Sequence, residues 1–227
     1  MTQRQKYHRS YHFPWSGTVH SDDKLNKDIN CLEGKEVVVT VKMDGECTTM
    51  YNDDFHARSL DSKHNFTRDW VARLHSVIKH DIPEGYRFVG ENLWAEHSIK
   101  YPDDYLEGYF YLFSIWKDNF CLSFDDVLEY AELLDLPTPK ILYRGIYNED
   151  IIKEICNNLD TDLEEGIVTR TAEGYLLKDA SKHLAKYVRP GHVQENAEHW
   201  LKNAKQNGKH KEPCKPIFMS SNNTFKI

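Results

Sequence analysis

Apolar and polar positions along this chain form short runs with two different periods. Residues 37–41 (Val-Val-Val-Thr-Val) are a run of β-formers. Asp44-Gly45 follows, and residues 47–51 resume the β pattern, which predicts two strands joined as a hairpin. Phe55 to Ser59 reads as a third short strand. The period then lengthens: Phe66, Trp70, Val71, Leu74, Val77 and Ile78 share one stripe, which predicts a helix from about Thr67 to Lys79. Pro83-Glu84-Gly85 makes a turn. Strands near 86–94 and 108–117 flank a polar loop carrying His97, Lys100 and Asp103-Asp104. After Asp118-Asn119 comes a short strand at Phe120-Cys121-Leu122. Ser123 to Asp126 then caps a helix that buries Phe124, Val127, Leu128, Ala131 and Leu134, and Pro137-Thr138-Pro139 stops it. A strand near 140–143, a helix near 149–159, a strand pair at 166–171 and 174–178, and a strand holding Lys186 complete the pattern. Strands and helices fall in clusters without regular βαβ alternation, so the expected class is α+β with mainly antiparallel sheets.

The ends read differently. Residues 1–9 are polar and basic, with the composition of a disordered terminus. Residues 11–17 are dense in aromatic and turn residues and show no period, so they predict an ordered loop. That loop is either a flap bringing His12 or Lys24 to phosphates or an aromatic plug on the core. Pro190-Gly191 closes a domain spanning 10–190. Residues 191–227 then form a small basic appendage with a short helix from Asn196 to Asn207 and a Lys-rich tail, too little chain for a full OB-fold. No internal repeat is present.

Composition narrows the classes. With 227 residues and 40% hydrophobic content, the chain can bury one sizeable core. No apolar run is long enough to span a bilayer and the N-terminus leads into no signal-type apolar core, so the expectation is a soluble, cytoplasmic protein; the sequence does not reveal its oligomeric state, for which a monomer is the default expectation. The five cysteines at 31, 47, 121, 156 and 214 are widely spaced and read as reduced thiols. Net charge is −7, which argues against tight non-specific binding to nucleic acid unless the basic residues are local. They are local: the chain from Lys178 onward is enriched in Lys, Arg and His. Lys202 and Lys205 belong to this stretch, which is either a phosphate-binding surface or a solvated tail.

The chemistry centres on Lys42-Met43-Asp44-Gly45-Glu46. A buried strand end would fix the lysine stem and leave its amine facing a cleft, where burial and neighbouring cations lower its pKa and make it nucleophilic. An ordinary hairpin beside a surface lysine would read the same way. Four later stretches decide between them: Arg58-Ser59, Gly90-Glu91, Glu165-Gly166, and Lys186 within Ala185-Lys186-Tyr187-Val188-Arg189. Lys-x-Asp-Gly followed by these in this order resembles the motif series of the covalent nucleotidyltransferase superfamily of RNA ligases, DNA ligases and mRNA-capping enzymes. Residues 88–99 and 109–116 are most similar to the RNA ligase branch, of the single-domain phage or bacterial kind. The resemblance covers about residues 10 to 190.

The resemblance implies an ATP-dependent RNA ligase. Lys42 would take AMP from ATP with Mg²⁺ or Mn²⁺, pass it to an RNA 5′-phosphate, and a 3′-hydroxyl would displace it. It further implies Lys186 at the α-phosphate, Glu165 at the metal, and Glu91 and Arg58 at the ribose or phosphates. Val41 adjoins the nucleotide, and Phe113 is a stacking platform for the base. Alternation places Phe113 on one face with Tyr109, Tyr111 and Ile115, which a plain core strand would also show, and Glu164-Glu165 could equally be a solvated turn. Many relatives carry Lys-x-Lys where this chain has Val188. Arg189 faces the other side of a regular strand, so Lys178, Lys182 or the C-terminal segment is expected to supply the missing cation. Gly166 is expected to let the backbone pass close to the ligand. Cys47 stands where DNA ligases usually have arginine. A DNA nick ligase, a capping-type guanylyltransferase and a catalytically weak RNA-end-binding module are the alternatives.

Overall fold

In the computed structural model, which describes residues 3–16, 23–189 and 204–210, the turn at Asp44-Gly45 does not close a hairpin. Strand β2 (Glu36–Lys42) lies in one sheet and β3 (Glu46–Met50) in another, so the turn hands the chain across. A Cβ on Gly45 would sit 2.5 Å from the Asn92 carbonyl oxygen, so the turn packs against a neighbouring backbone in a way only glycine allows.

The first sheet has the order β1-β11-β9-β2-β8. Its members are β1 (Tyr11–His12), β11 (Leu184–Val188), β9 (Gly166–Thr171), β2 and β8 (Ile141–Ile146). All pairings are antiparallel except β1 with β11. The second sheet is wholly antiparallel, in the order β10-β7-β6-β5-β3-β4. Here β4 is Phe55–Ala57, β5 Tyr86–Asn92, β6 Phe110–Lys117, β7 Phe120–Cys121 and β10 Tyr175–Leu176. The expected pair 166–171 with 174–178 is therefore also split: β9 and β10 serve different sheets. Residues 11–12 are a short strand rather than loop. The α+β class with mainly antiparallel sheets holds.

Helices α1 (Asp69–Ile78) and α2 (Phe124–Leu133) cover the second sheet, where Val71, Ile78, Val127 and Ala131 pack on Phe88, Phe110, Leu112 and Ile115. Each of the larger side chains contributes about 1.5–3 kcal/mol by leaving water, so packing rather than propensity holds these helices in place. Helix α2 starts with a capping box between Ser123 and Asp126. It ends at Leu133, before the prolines, where Asp135 adopts a left-handed conformation with φ 53°. Helix α3 (Glu149–Asn157), capped by Asn148, buries Ile152 and Cys156 against Val37, Val39 and Ile167 of the first sheet.

Both termini depart from expectation. Residues 3–9 are not disordered. Arg4 pairs with Asp53 at 3.0 Å, Gln5 hydrogen bonds Arg87, and the Tyr7 and His8 rings pack on Phe113 and Trp116 at 5.5 and 5.3 Å. The expected helix from Asn196 lies outside the described residues up to 203. Residues 204–207 are extended, not helical, and Gln206 bridges to Ala95. No helix among the described residues is long and apolar enough to cross a membrane.

Candidate active site

The two sheets face each other across a cavity of about 580 Å³. Register explains how the first sheet fills it. Thr40, Val168 and Lys186 form one row across β2, β9 and β11, and Lys42, Gly166 and Val188 form the next row on the same face. Side chains two residues apart on a strand point the same way. Lys42 and Lys186 therefore enter the cavity from strands flanking β9, and Glu165 enters at the start of β9 between them.

Lys42 donates a hydrogen bond to Glu165 Oε2, and Lys186 Nζ lies 3.5 Å from Asp23 Oδ1. Glu165 is 3% exposed and Glu164 is 6% exposed, so neither sits in a solvated turn. Glu164 Oε2 instead accepts from the Asp160 backbone N–H at 3.0 Å and closes the loop before β9. Gly166 has a different role from the one its neighbours suggest. An added Cβ would lie 2.0 Å from the Tyr187 carbonyl oxygen, so glycine is needed for approach to the chain's own β11.

Electrostatics reverse one expectation. Burial favours a neutral Lys42, but the carboxylates of Glu165, Glu91 and Asp44 together outweigh it and hold the ammonium above the ordinary lysine range. Lys186 does follow expectation: burial, and then the Lys42 charge, lower its pKa despite Asp23. Burial pushes Glu91 up to about 8. Lys42 opposes that shift, while Glu165 and Asp44 add to it.

The second sheet contributes Glu46, Cys47, Glu91, Phe113 and Ser114 to the lining. Between Val89 and Gly90 the register slips, pairing them with Ser114 and Leu112 and leaving Phe113 as the extra residue of a β-bulge. The bulge takes Phe113 off the face it would share with Tyr111 and Ile115, which are buried in separate apolar clusters, and puts it in the cavity wall.

Of the residues singled out from sequence, His12, Val41, Lys42, Arg58, Glu91, Phe113, Glu165, Lys186 and Arg189 line this one cavity. Lys24 and Lys178 are exposed and do not line it, nor does Lys205, and Lys202 lies outside the described residues. Lys182 is exposed and paired with Asp179 at 2.9 Å, so it is not the missing cation. Arg189 reaches the cavity because β11 ends at Val188, beyond which strand alternation does not apply, and its backbone N–H donates to the Glu165 carbonyl at 3.0 Å. Its Nε is buried and has no hydrogen-bond partner.

Sequence reading missed Tyr7, His8, Asp23, His97 and Arg170, all of which line the cavity. Only Arg170 carried a signal, since it shares a face with Val168 on a strand already assigned. Burial, with Arg87, Arg58 and Arg170 nearby, lowers the His8 pKa to about 4.

Among the described residues no group of three His, Cys, Asp or Glu side chains forms a preformed metal cage. A divalent cation held jointly with phosphates needs only one or two carboxylates. Glu165 and Glu91 fit that requirement: both are hard oxygen donors in one cavity, and the raised Glu91 pKa marks a place short of positive charge.

A family model described as RNA ligase matches residues 35–188. Among solved structures the chain is similar to an archaeal ATP-dependent RNA ligase, at 14% identity and a TM-score of 0.57, with 82% of this chain and 48% of that one covered. It is also similar to Naegleria gruberi RNA ligase with PPi, at 17% identity and a TM-score of 0.52, covering 87% of this chain and 61% of that one. A mutant of the Naegleria gruberi enzyme with AMP and Mn matches at 17% identity and a TM-score of 0.53, with 85% and 60% covered. At these identities the likeness shows the fold. The chain spans about half to three-fifths of the length of these structures. No curated relative matches the sequence.

Proposed function

The chain belongs to the RNA ligase family, and from that premise we propose that it is an ATP-dependent RNA ligase in which Lys42 carries the nucleotide. The observation that carries this reading is the placement of Lys42 and Lys186 in adjacent rows on either side of β9, on one cavity face, with Glu165 between them.

The neutral Lys42 amine attacks the α-phosphorus of ATP. A P–N bond forms, the P–O bond to pyrophosphate breaks, and lysyl-AMP remains. The ammonium must first lose a proton, and Glu165 is the acceptor already hydrogen-bonded to it. Lys186 stands in the adjacent row on the same cavity face and stabilises the charge that spreads over the phosphoryl oxygens. Arg189 supplies the second cation at the place where Val188 cannot. Phe113 carries the base, Glu91 and Arg58 hold ribose or phosphate, and Val41 closes the pocket beside Lys42. Glu165 and Glu91 would hold Mg²⁺ or Mn²⁺, which when bound neutralises charge on the phosphates and the leaving pyrophosphate.

In the second step an RNA 5′-phosphate oxygen displaces Lys42 from AMP, and in the third a 3′-hydroxyl displaces AMP. Tyr7, His8 and Arg9 line the cavity, so in this proposal the catalytic unit includes residues before 10. Lys24, Lys178 and Lys205, all exposed, are the candidates for contact with RNA phosphates lying over the cavity.

Incubation with each α-labelled nucleoside triphosphate and Mg²⁺, followed by denaturing electrophoresis, tests the reading. Label from α-labelled ATP, lost in Lys42→Met, is the expected result. Label from GTP instead would point to a capping-type enzyme, and no label with any nucleotide would point to a binding module.

A further inference from the structure

Residues 204–210 sit against the loop that follows β5, far along the chain from the nucleotide motifs. Asn207 is 3% exposed and spends its whole side chain there. Its Nδ2 donates to the carbonyls of Leu93 and Ala95 at 2.9 and 3.0 Å, and its Oδ1 accepts from the Tyr101 N–H at 3.0 Å. The backbone adds further bonds. Asn207 N–H donates to Trp94 O and Gly208 N–H to Tyr101 O, each at 2.9 Å, and Glu96 N–H donates to Lys205 O at 2.8 Å. Tyr109 Oη donates to Gly208 O at 2.9 Å. At Gly208 an added Cβ would lie 2.3 Å from the Asp103 nitrogen, so the two backbones touch.

The other side of that loop holds Asp44. Ser98 Oγ and the Ile99 N–H donate to Asp44 Oδ2 at 2.9 and 2.7 Å, and the Asp44 N–H donates to Tyr101 Oη at 2.9 Å. Asp44 is buried and lies two residues after Lys42, in the turn that passes between the sheets. Tyr101 is thus held by Asn207 at its backbone and holds Asp44 with its hydroxyl.

The loop between Trp94 and Tyr109 has no regular structure; Ile99, Tyr101 and Leu106 anchor it in an apolar cluster, but apolar contacts are non-directional and leave the placement of its backbone to hydrogen bonds. The buried amide of Asn207 bonds three of its backbone groups at once, and burial makes each of those bonds costly to lose.

We propose that residues 204–210 form a strap that fixes the 93–105 loop, and through Tyr101, Ser98 and Ile99 fixes Asp44 and the turn bearing Lys42. Asn207 is its positioning residue. None of residues 204–210 lines the nucleotide cavity. It acts by setting where the Lys42 amine stands relative to the α-phosphate, and a displacement of about 1 Å there can cost on the order of 100-fold in rate. The kinetic part of this inference rests on the reading of Lys42 as the nucleophile.

Two measurements on the full chain test it. In Asn207→Ala, amide hydrogen exchange over residues 43–46 is expected to quicken on the order of tenfold, with β9 unchanged. In single-turnover labelling with ATP, the rate constant falls on the order of tenfold or more, while the ATP concentration for half-maximal rate and the labelled fraction stay as in the wild type. Loss of folded protein would instead lower the labelled fraction. Combining Asn207→Ala with Tyr101→Phe should cost little beyond the worse single variant, because both act through the same loop; additive losses would count against the strap. If Asn207→Ala does not fold, Asn207→Asp keeps the acceptor for Tyr101 and loses both donors, and serves in its place. Unchanged exchange over 43–46 overturns the inference whether or not the protein takes a nucleotide. Failure of the wild type to label with any nucleotide overturns the ligase reading and leaves exchange to decide the strap.

Discussion

Lys42 donates to Glu165 across the β2–β9 pairing, and the Glu165 charge is the largest of those that hold the proton on the amine. Burial alone would favour the neutral form, but Glu165, with Glu91 and Asp44 behind it, holds the proton on. Covalent labelling should therefore rise with pH toward the alkaline range. In Glu165→Gln the largest of these opposing charges is gone, so the Lys42 pKa falls and the rising limb moves to lower pH. The plateau drops on the order of 100-fold because the proton acceptor is lost. A pH profile of the labelling rate with an unmoved limb would refute the pairing's role.

Glu91 gives a stability prediction of opposite sense to that of an ordinary surface carboxylate. Burial raises its pKa from 4.5 to about 8, so between these values the folded protein keeps a proton that the unfolded chain has released. By linkage, its contribution to stability is lost as pH rises through that window. Glu91→Gln removes the loss. Its Tm should exceed that of the wild type by on the order of 10 °C near the top of the window and match it near the bottom. Thermal melts of both proteins across the window check this in the absence of metal, and equal Tm differences at both ends would sink it.

How much of this could be read from sequence follows from what periodicity encodes. Alternation and helical stripes report which face of an element is buried, so the strands carrying Lys42, Glu91, Phe113, Glu165 and Lys186 were legible, as were α1, α2 and α3. Periodicity does not report a strand's partner. Asp44-Gly45 has hairpin chemistry, yet the Asn92 backbone beside Gly45 and the pairing of β3 with β5 send the chain to the other sheet. A one-residue bulge is likewise invisible, so Phe113 was assigned to a face it does not share. The N-terminal segment misled by composition: Arg4, Gln5, Tyr7 and His8 look like a solvated tail, and each finds its partner 45 or more residues away. The Lys42 pKa erred for the same reason. Of the carboxylates that raise it, Glu165 and Glu91, the two that weigh most, lie near it only in space.

Arg189 replaces the second motif lysine in this reading. Its Nε is buried in the cavity wall without a hydrogen-bond partner, an arrangement that costs stability unless an anion completes it. Arg189→Ala should slow lysyl-AMP formation on the order of 100-fold, Arg189→Lys should restore part of the loss, and Lys182→Ala should leave the rate unchanged. Single-turnover labelling distinguishes these cases; equal rates for Arg189→Ala and wild type would return the missing cation to the C-terminal segment.

Tyr7 bounds the site from a direction that no motif announces. Its ring meets the Phe113 ring edge-on at 5.5 Å, and the segment that carries it is tied down on either side of that contact. Arg4 pairs with Asp53 and stacks over the Tyr51 ring at 4.5 Å, and His8 packs on Trp116. If Phe113 is the platform for the base, Tyr7 stands at the platform's edge and limits how far a purine can slide along it. Removing the ring opens that edge without touching Lys42, Lys186 or Glu165. Tyr7→Ala should therefore leave the labelling rate at saturating ATP within a few-fold of wild type while raising the ATP concentration needed. The preference for ATP over GTP should narrow on the order of tenfold, the scale at which pocket shape alone discriminates. Comparing the rate per unit concentration for the two nucleotides in both proteins decides the matter. An unchanged ratio would mean that Tyr7 only anchors the N-terminal segment, and a collapsed maximal rate would mean that it holds the reacting groups themselves.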